Sequence, residues 1–421
     1  MSEEPEVVIT GVGVVSPIGV GKQPFWQSLC AGRSGVKPYS LVQGTEMPVR
    51  FGGEIADFEP KLYVKPRKSL KVMCREIQLG FAAAALAIND AGLDCEAVDR
   101  DRFGVIYGSE MLFGPPQDLE AAYRSCFVDG ALHAELYGEK FMSDMYPLWM
   151  LKYLPNMAAC HIGIAFDARG PNNSITLGEA SGLLSVAEGM RIMQRGRADV
   201  MIVGGAGSRL DLTQMLFRGD ANLSHREDEP ETASRPFDAD RDGLVNGEGA
   251  AAFILETRSH AEHRAAPILA AVRGCGNSFE SRLDPKPATG RAIRATISQS
   301  LNEAGLTPSD IGHVNAHGVS TIEDDQLEAQ AIHACLDDVP VTAPKSFFGN
   351  LGAGTGSVEM AASVLGLQAG EIPFTINYET PDPKCPVNVI RDRPLTGTRP
   401  TALLLNQSGT GQAAALILAR D

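Results

Sequence analysis

The sequence predicts an α/β fold built on a buried, largely parallel sheet. Short β-branched runs alternate with Ala-rich stretches of helical spacing, several helices fall between strands, and Gly (44 residues) and Pro (26) are scattered between the apolar runs. Taken in order, the opening VVITGVGVVSPIGVG reads as a buried strand at 7–10 and a turn, followed by a helix at 76–91 and a strand at 103–107. A helix at 182–195 leads to strands at 200–204, 251–256 and 268–274. The last third alternates regularly: helix 290–303, strand 313–315, helices 324–334 and 357–369, and strand 402–405.

The chain divides near 257–266, a charged stretch between two strands, into halves at 1–256 and 257–421. Each half carries its own series of strands and helices, and no repeat of solenoid length is visible. With 421 residues, 44% of them hydrophobic, there is material for a large core.

Charge narrows the partners. A formal net charge of −15 disfavours nucleic acid and anionic membrane surfaces. One stretch runs the other way: Lys61, Lys65, Arg67, Lys68, Lys71 and Arg75 occur with no acid among them. This is either a solvated helix face or a docking patch for a small acidic protein. The eight cysteines are dispersed without a CxxC pair, as expected of reduced cytosolic thiols rather than a disulfide framework or a zinc site. The acidic start and the Gly- and Pro-broken run after it do not resemble a secretory signal, and no segment has the length of a membrane span, so a cytoplasmic protein is expected.

Three motif look-alikes fail on spacing. Asp238-Ala-Asp240-Arg-Asp242-Gly243 imitates a calcium loop, but Gly249 occupies the twelfth position where a bidentate Glu is needed; an Asx-type turn is expected instead. Gly352-Ala-Gly354-Thr-Gly356 lacks the spacing of a dinucleotide fingerprint. His313 and His317 lie four apart in strand and turn context, not on a helix that would present both to a metal. No metal and no resident cofactor are expected.

Several segments taken together resemble the β-ketoacyl-acyl-carrier-protein synthases. In order they are VVITGVGVVSPIGVG, FWQSLCAGRSGV, NMAACHIGIAFDARGP, the small-residue turn at 178–182, RADVMIVGGAG, RPFDADRDGLVNGEGAA, NAHGVSTIEDDQLE, KSFFGNLGAGTGSVE and NQSGTGQAAALIL. The resemblance covers nearly the whole chain. It implies a thiolase-like fold of two similar halves in a five-layered α-β-α-β-α arrangement, and usually a dimer. It also implies a decarboxylative condensation in which a cysteine takes an acyl group from acyl carrier protein. The phosphopantetheine of that carrier would be the substrate arm.

Carried across residue by residue, the resemblance places the first histidine at His317 and the lysine at Lys345. Asp325 and Glu328 match acids that follow the histidine and are read as structural. The second histidine position is Asn350. The nucleophile position is Glu179, in Leu177-Gly178-Glu179-Ala180-Ser181. The gating loop reads Ser408-Gly409-Thr410-Gly411 without its aromatics, and a tunnel threonine is Val319, with Thr321 remaining. Thr321, Ser408 and Thr410 are the expected substrate contacts, and Lys65, Arg67 and Lys68 the expected carrier-protein contacts. Cys160, in a segment read as strand-forming, is no substitute nucleophile.

A carboxylate suits a helix N-terminus and would be expected to pair with His317 or Lys345. As an acyl acceptor it is poor, because a thioester would have to form a mixed anhydride. Three functions stay open at this point. The first is a non-condensing subunit resembling chain-length factors, partnering a Cys-bearing ketosynthase as a heterodimer, or else assembling as a homodimer. The second is a malonyl-carrier-protein decarboxylase using His317 and Asn350, which requires a protonated Glu179. The third is an atypical acyltransferase or hydrolase with Glu179 as base.

Overall fold

The computed structural model describes residues 4–282 and 288–420. Eleven strands form one continuous sheet path: β1 (Val7–Ser16), β2 (Phe103–Gly108), β3 (Asn172–Ile175), β4 (Val200–Ser208), β5 (Glu248–Thr257), β6 (Ala270–Phe279), β7 (His313–Asn315), β8 (Pro340–Thr342), β9 (Asn388–Val389), β10 (Thr401–Gln407) and β11 (Gln412–Ala419). Their spatial order is β9-β8-β7-β10-β11-β6-β1-β5-β4-β2-β3, and the two-residue strand Gly19–Val20 hairpins onto β1. The helices that concern the site are α1 (Arg75–Ala91), α2 (Met157–Ala165), α3 (Ser181–Gln194), α4 (Leu212–Arg218), α5 (Arg291–Ala304), α6 (Ile322–Leu336) and α7 (Thr355–Ala369).

The two halves repeat one pattern. From β1 outward the order β1-β5-β4-β2-β3 runs antiparallel, antiparallel, parallel, parallel. From β6 outward the order β6-β11-β10-β7-β8 runs the same way. The halves are joined where Val7, Val8 and Ile9 of β1 pair with Val272, Ala271 and Ala270 of β6.

Side-chain alternation builds the layers. Met201, Val203, Phe253 and Leu255 from one half, and Leu404, Leu416 and Leu418 from the other, meet Val186 and Met190 of α3 and Val358 and Val364 of α7 in a central core. The opposite strand faces, Val200, Ile202, Ala252 and Ile254, pack on Ile77 and Phe81 of α1 and Ile162 of α2. In the second half, Leu403, Leu405 and Ile417 pack on Ile293 and Ile297 of α5 and Ile332 of α6. The result is the α-β-α-β-α block, in which each such buried side chain contributes about 1.5–3 kcal/mol. The two central helices approach closely because Gly182 of α3 has no Cβ; one would stand 2.5 Å from Ser357 Oγ of α7.

Apart from the segment around Cys160, the predicted strands and helices are present, with ends displaced by a few residues. Two expectations need correction. The sheet is mixed, not largely parallel: of the ten neighbouring pairs on the path, five are antiparallel. Continuous apolar runs report burial of both faces, and here antiparallel strands are covered on both faces too. The segment carrying Cys160 is helix α2, not a strand. Its run MAACHIGIA is apolar without a clear period, so spacing alone could not separate the two forms. No helix among the described residues is long and apolar enough to cross a membrane.

Candidate active site

Six chain segments leave the carboxyl ends of parallel strands and converge. Glu110 follows β2, Glu179 follows β3 and Arg209 follows β4; His317 follows β7, Lys345 follows β8 and Ser408 follows β10. Ligands of open α/β sheets bind at this end. A cleft of about 1000 Å³ opens there, walled by Glu110, Glu179, Arg209, Arg218, His317, Asn350, Thr321, Ser408 and Thr410 among others.

Glu179 sits in a single 3₁₀ turn, Gly178–Ala180, that runs into α3. Gly178 takes φ 58°, a left-handed turn that lets the chain double back from β3 into the helix. The Glu179 side chain is buried, and its Oε1 accepts from Arg209 Nη2 at 2.7 Å and from Asn350 Nδ2 at 3.2 Å. Asn350 is held in that orientation because its Oδ1 accepts from Gly352 N at 3.0 Å and Thr355 Oγ1 at 3.2 Å. Behind Arg209 lies Glu110, whose Oε2 is 3.7 Å from Arg209 Nη2 and 3.2 Å from Arg218 Nη2. Two carboxylates and two guanidiniums thus form one quartet, in which Glu110, Glu179 and Arg209 are buried and Arg218 is exposed at its edge. Burial pushes the Glu179 carboxyl up, but the Arg209 cation, its own backbone N–H and Asn350 outweigh burial and hold it below its ordinary value. Glu179 is therefore a carboxylate at neutral pH.

The other half contributes a different system. Lys345 Nζ donates to Glu359 Oε1 at 2.6 Å and to the His317 carbonyl, and lies 3.0 Å from His317 Nδ1. An ammonium has no acceptor, so Nδ1 accepts and the ring proton resides on Nε2. Burial first, then the Lys345 cation, pushes His317 well below the ordinary imidazole value, leaving it neutral. The loop carrying it is fixed by the two acids read as structural: Glu328 accepts from His317 N at 2.7 Å and Gly318 N at 2.8 Å, and Asp325 accepts from Val319 N at 2.9 Å. His317 is thus a positioned neutral donor on the cleft wall.

The expectation that Glu179 pairs with His317 or Lys345 is corrected. Lys345 is committed to Glu359 and His317, and the partners of Glu179 are Arg209 and Asn350. Thr321 lines the cleft with its Oγ1 donated to Asp324 at 2.9 Å. Ser408 and Thr410 share a 2.9 Å hydrogen bond in the tight turn between β10 and β11. Lys65, Arg67 and Lys68 are exposed, but on 3₁₀ and irregular chain rather than an α-helix face. Arg75 leaves that patch and turns inward to Glu248 at 2.7 Å. Asp238 forms the expected Asx turn, accepting from Asp240 N at 2.9 Å, and also ties down Glu379 N and Thr380 N at 2.7 Å.

Sequence reasoning missed Glu110, Arg209, Arg218 and Glu359. A signal existed for Glu110 and Arg209: each is a charged residue a few positions after a run read as a buried strand. For Glu359 it was one acid inside an otherwise apolar helix, which demands a buried cation.

Comparison with known proteins agrees with this geometry. Residues 4–261 match the "Beta-ketoacyl synthase, N-terminal domain" and residues 269–379 the corresponding C-terminal domain. The "3-oxoacyl-[acyl-carrier-protein] synthase 2" of Synechocystis sp. is 34% identical over 92% of this chain and 91% of its own length. The "Tetracenomycin polyketide synthase ketoacyl synthase alpha subunit" of Streptomyces glaucescens is 34% identical over 99% of this chain and 97% of its own. Among solved structures, "The ishigamide ketosynthase/chain length factor" superposes with a TM-score of 0.87 at 27% identity, over 99% of this chain and 100% of that one. Both domains match in order and across nearly the full length, so the chain belongs to the β-ketoacyl synthase family.

Proposed function

We propose that this chain is a non-condensing, chain-length-factor-like subunit of fatty-acid or polyketide synthesis that pairs with a Cys-bearing ketosynthase. The observation that carries the reading is the state of Glu179. An ionised carboxylate, hydrogen-bonded to Arg209 and Asn350, stands where the family resemblance expects the nucleophile. Its attack on a thioester would break the Arg209 contact and form an anhydride less stable than the thioester consumed. The same pairing argues against the decarboxylase, which needs Glu179 protonated beside a malonyl carboxylate, and against a general base, since a depressed pKa makes a weak base.

The surface supports a second subunit. Phe127, Leu132, Met142, Leu148 and Met150 are exposed within one stretch, and β3 ends the sheet path with no strand beyond it among the described residues. In this reading acyl carrier protein is the common partner, its phosphopantetheine arm entering as substrate.

Intact-protein mass spectrometry tests the proposal. The chain is co-purified with a Cys-bearing ketosynthase and incubated with acyl- and malonyl-carrier protein. The acyl adduct is expected on the partner and not on this chain. An acyl group trapped here and elongated without another subunit would overturn the reading.

A further inference from the structure

The quartet around Arg209 has a property that its present pairing conceals. Its charges cancel only because Glu179 supplies one of the two negatives; without it, Glu110 alone faces Arg209 and Arg218. Arg209 is 5% exposed, and its Nε has no hydrogen-bond partner, so this buried cation is still short of acceptors even with Glu179 in place. Asn350 Nδ2 is held toward the same point by two bonds to its Oδ1. The His317 side chain, with its Nε2 proton, borders the same cleft.

From this we infer that Arg209 and Asn350 form a receptor for a small carboxylate, and that Glu179 is its built-in ligand. The side chain occupies the place an incoming acid group would take, so the cleft excludes malonyl-type acids by being already filled. Two acids on the same wall are paired with cations of their own. Asp324 is neutralised by Arg282, and Asp242 lies 3.6 Å from Arg226. Glu110 limits the site to one negative charge at a time, since a second anion beside it would meet an uncompensated carboxylate. This inference deepens the non-condensing reading by saying what keeps the reacting acid out. Its failure would leave the partner role untouched, because that role is read from which chain carries the acyl adduct.

The test replaces the ligand from solution. In Glu179→Ala the receptor is vacated and acquires a net positive charge. Added acetate, and separately the monoanion of monomethyl malonate, should stabilise the variant against thermal unfolding relative to chloride at equal ionic strength. The gain should reach about tenfold in the folded-to-unfolded ratio at ten times the dissociation constant. The wild type, whose site is filled, should show no carboxylate-specific gain. Glu179→Ala/Arg209→Met removes both charges and should lose the response; it is also the reference if the single variant folds poorly, because then acetate should restore folding of the single variant only. A Glu179→Ala response to acetate no larger than the wild type's, or an equal response in the double variant, overturns the inference.

Discussion

The two halves share one strand order and place their functional loops at the same ends of their parallel strands, yet they have kept different chemistry. The second half holds a neutral His317 donor, backed by Lys345 and Glu359. The first half, at the turn where the family resemblance places the cysteine, holds the quartet Glu110, Glu179, Arg209 and Arg218. The difference teaches that one strand arrangement accommodates two kinds of charge system at its strand ends: an ion-pair quartet in one half and a histidine–lysine–glutamate relay in the other. The two systems also balance charge differently. Glu359 has its carboxyl pushed up by burial to about 7, so it can shed its charge by taking a proton. Glu179 is held in the opposite direction and relies on Arg209 remaining in place.

That contrast can be broken most sharply at Arg209. Arg209→Met leaves Glu179 and Glu110 buried with only the peripheral Arg218, and should destabilise the protein by about 3–5 kcal/mol in denaturant titration. Adding Glu179→Gln should recover most of the loss. If the single variant unfolds like the wild type, the quartet is not the structural replacement described here.

Lys345→Met should cost less, about 1–3 kcal/mol, and the cost should depend on pH. Glu359 has a folded pKa of about 7, raised above the ordinary value, so between about 4.5 and 7 the folded state binds more protons than the unfolded state. Stability from this group is therefore full at low pH and falls as pH rises through that window. Without Lys345 the folded pKa rises further, so the variant's deficit should be small at pH 5 and larger at pH 8. A deficit independent of pH would mean that Glu359 does not titrate with folding.

Glu179→Cys sharpens the same contrast from the side of reactivity. A thiol there would face Arg209 at the start of α3, both of which favour thiolate. Alkylation by iodoacetamide at pH 7 should run about tenfold faster than for an ordinary thiol. In the proposed role chain elongation should not follow, because Asn350 stands where the family resemblance expects the second histidine. Condensation by the variant alone would show that the cysteine was the one part missing.

What was legible in the sequence follows a physical line. Strand and helix positions were legible because both sheet faces are buried and the helices are Ala-rich. Strand direction was not, since apolar runs carry no sign of it. Glu179, His317, Lys345 and Asn350 were legible because each stands in a segment resembling the family. Arg209 and Glu110 were not, because an ion pair between residues 99 positions apart leaves no local pattern; each was visible only as a lone charge after a strand. Helix α2 was misread because its residues are apolar on every side.

The smallest expected effect lies outside both halves' chemistry, at the patch of Lys65, Arg67 and Lys68. The three side chains are exposed and make no ion pair among the described residues, so their charge is free to act on a partner. The triple change to glutamate should alter folding stability by about 0.5 kcal/mol or less, as surface changes do. Binding of acyl carrier protein, an acidic partner in the proposed role, should weaken in a salt-dependent way. The wild-type advantage should shrink as added salt shortens the Debye length to about 3 Å at 1 M. Lys61 and Arg75 serve as internal controls on the same stretch. Lys61 lies 3.9 Å from Glu59, and Arg75 is bound to Glu248, so charge reversal at Arg75 should cost stability instead of carrier affinity. Unchanged binding by the triple variant at low salt would return the patch to a solvated surface and move the docking face elsewhere on the chain or onto its partner.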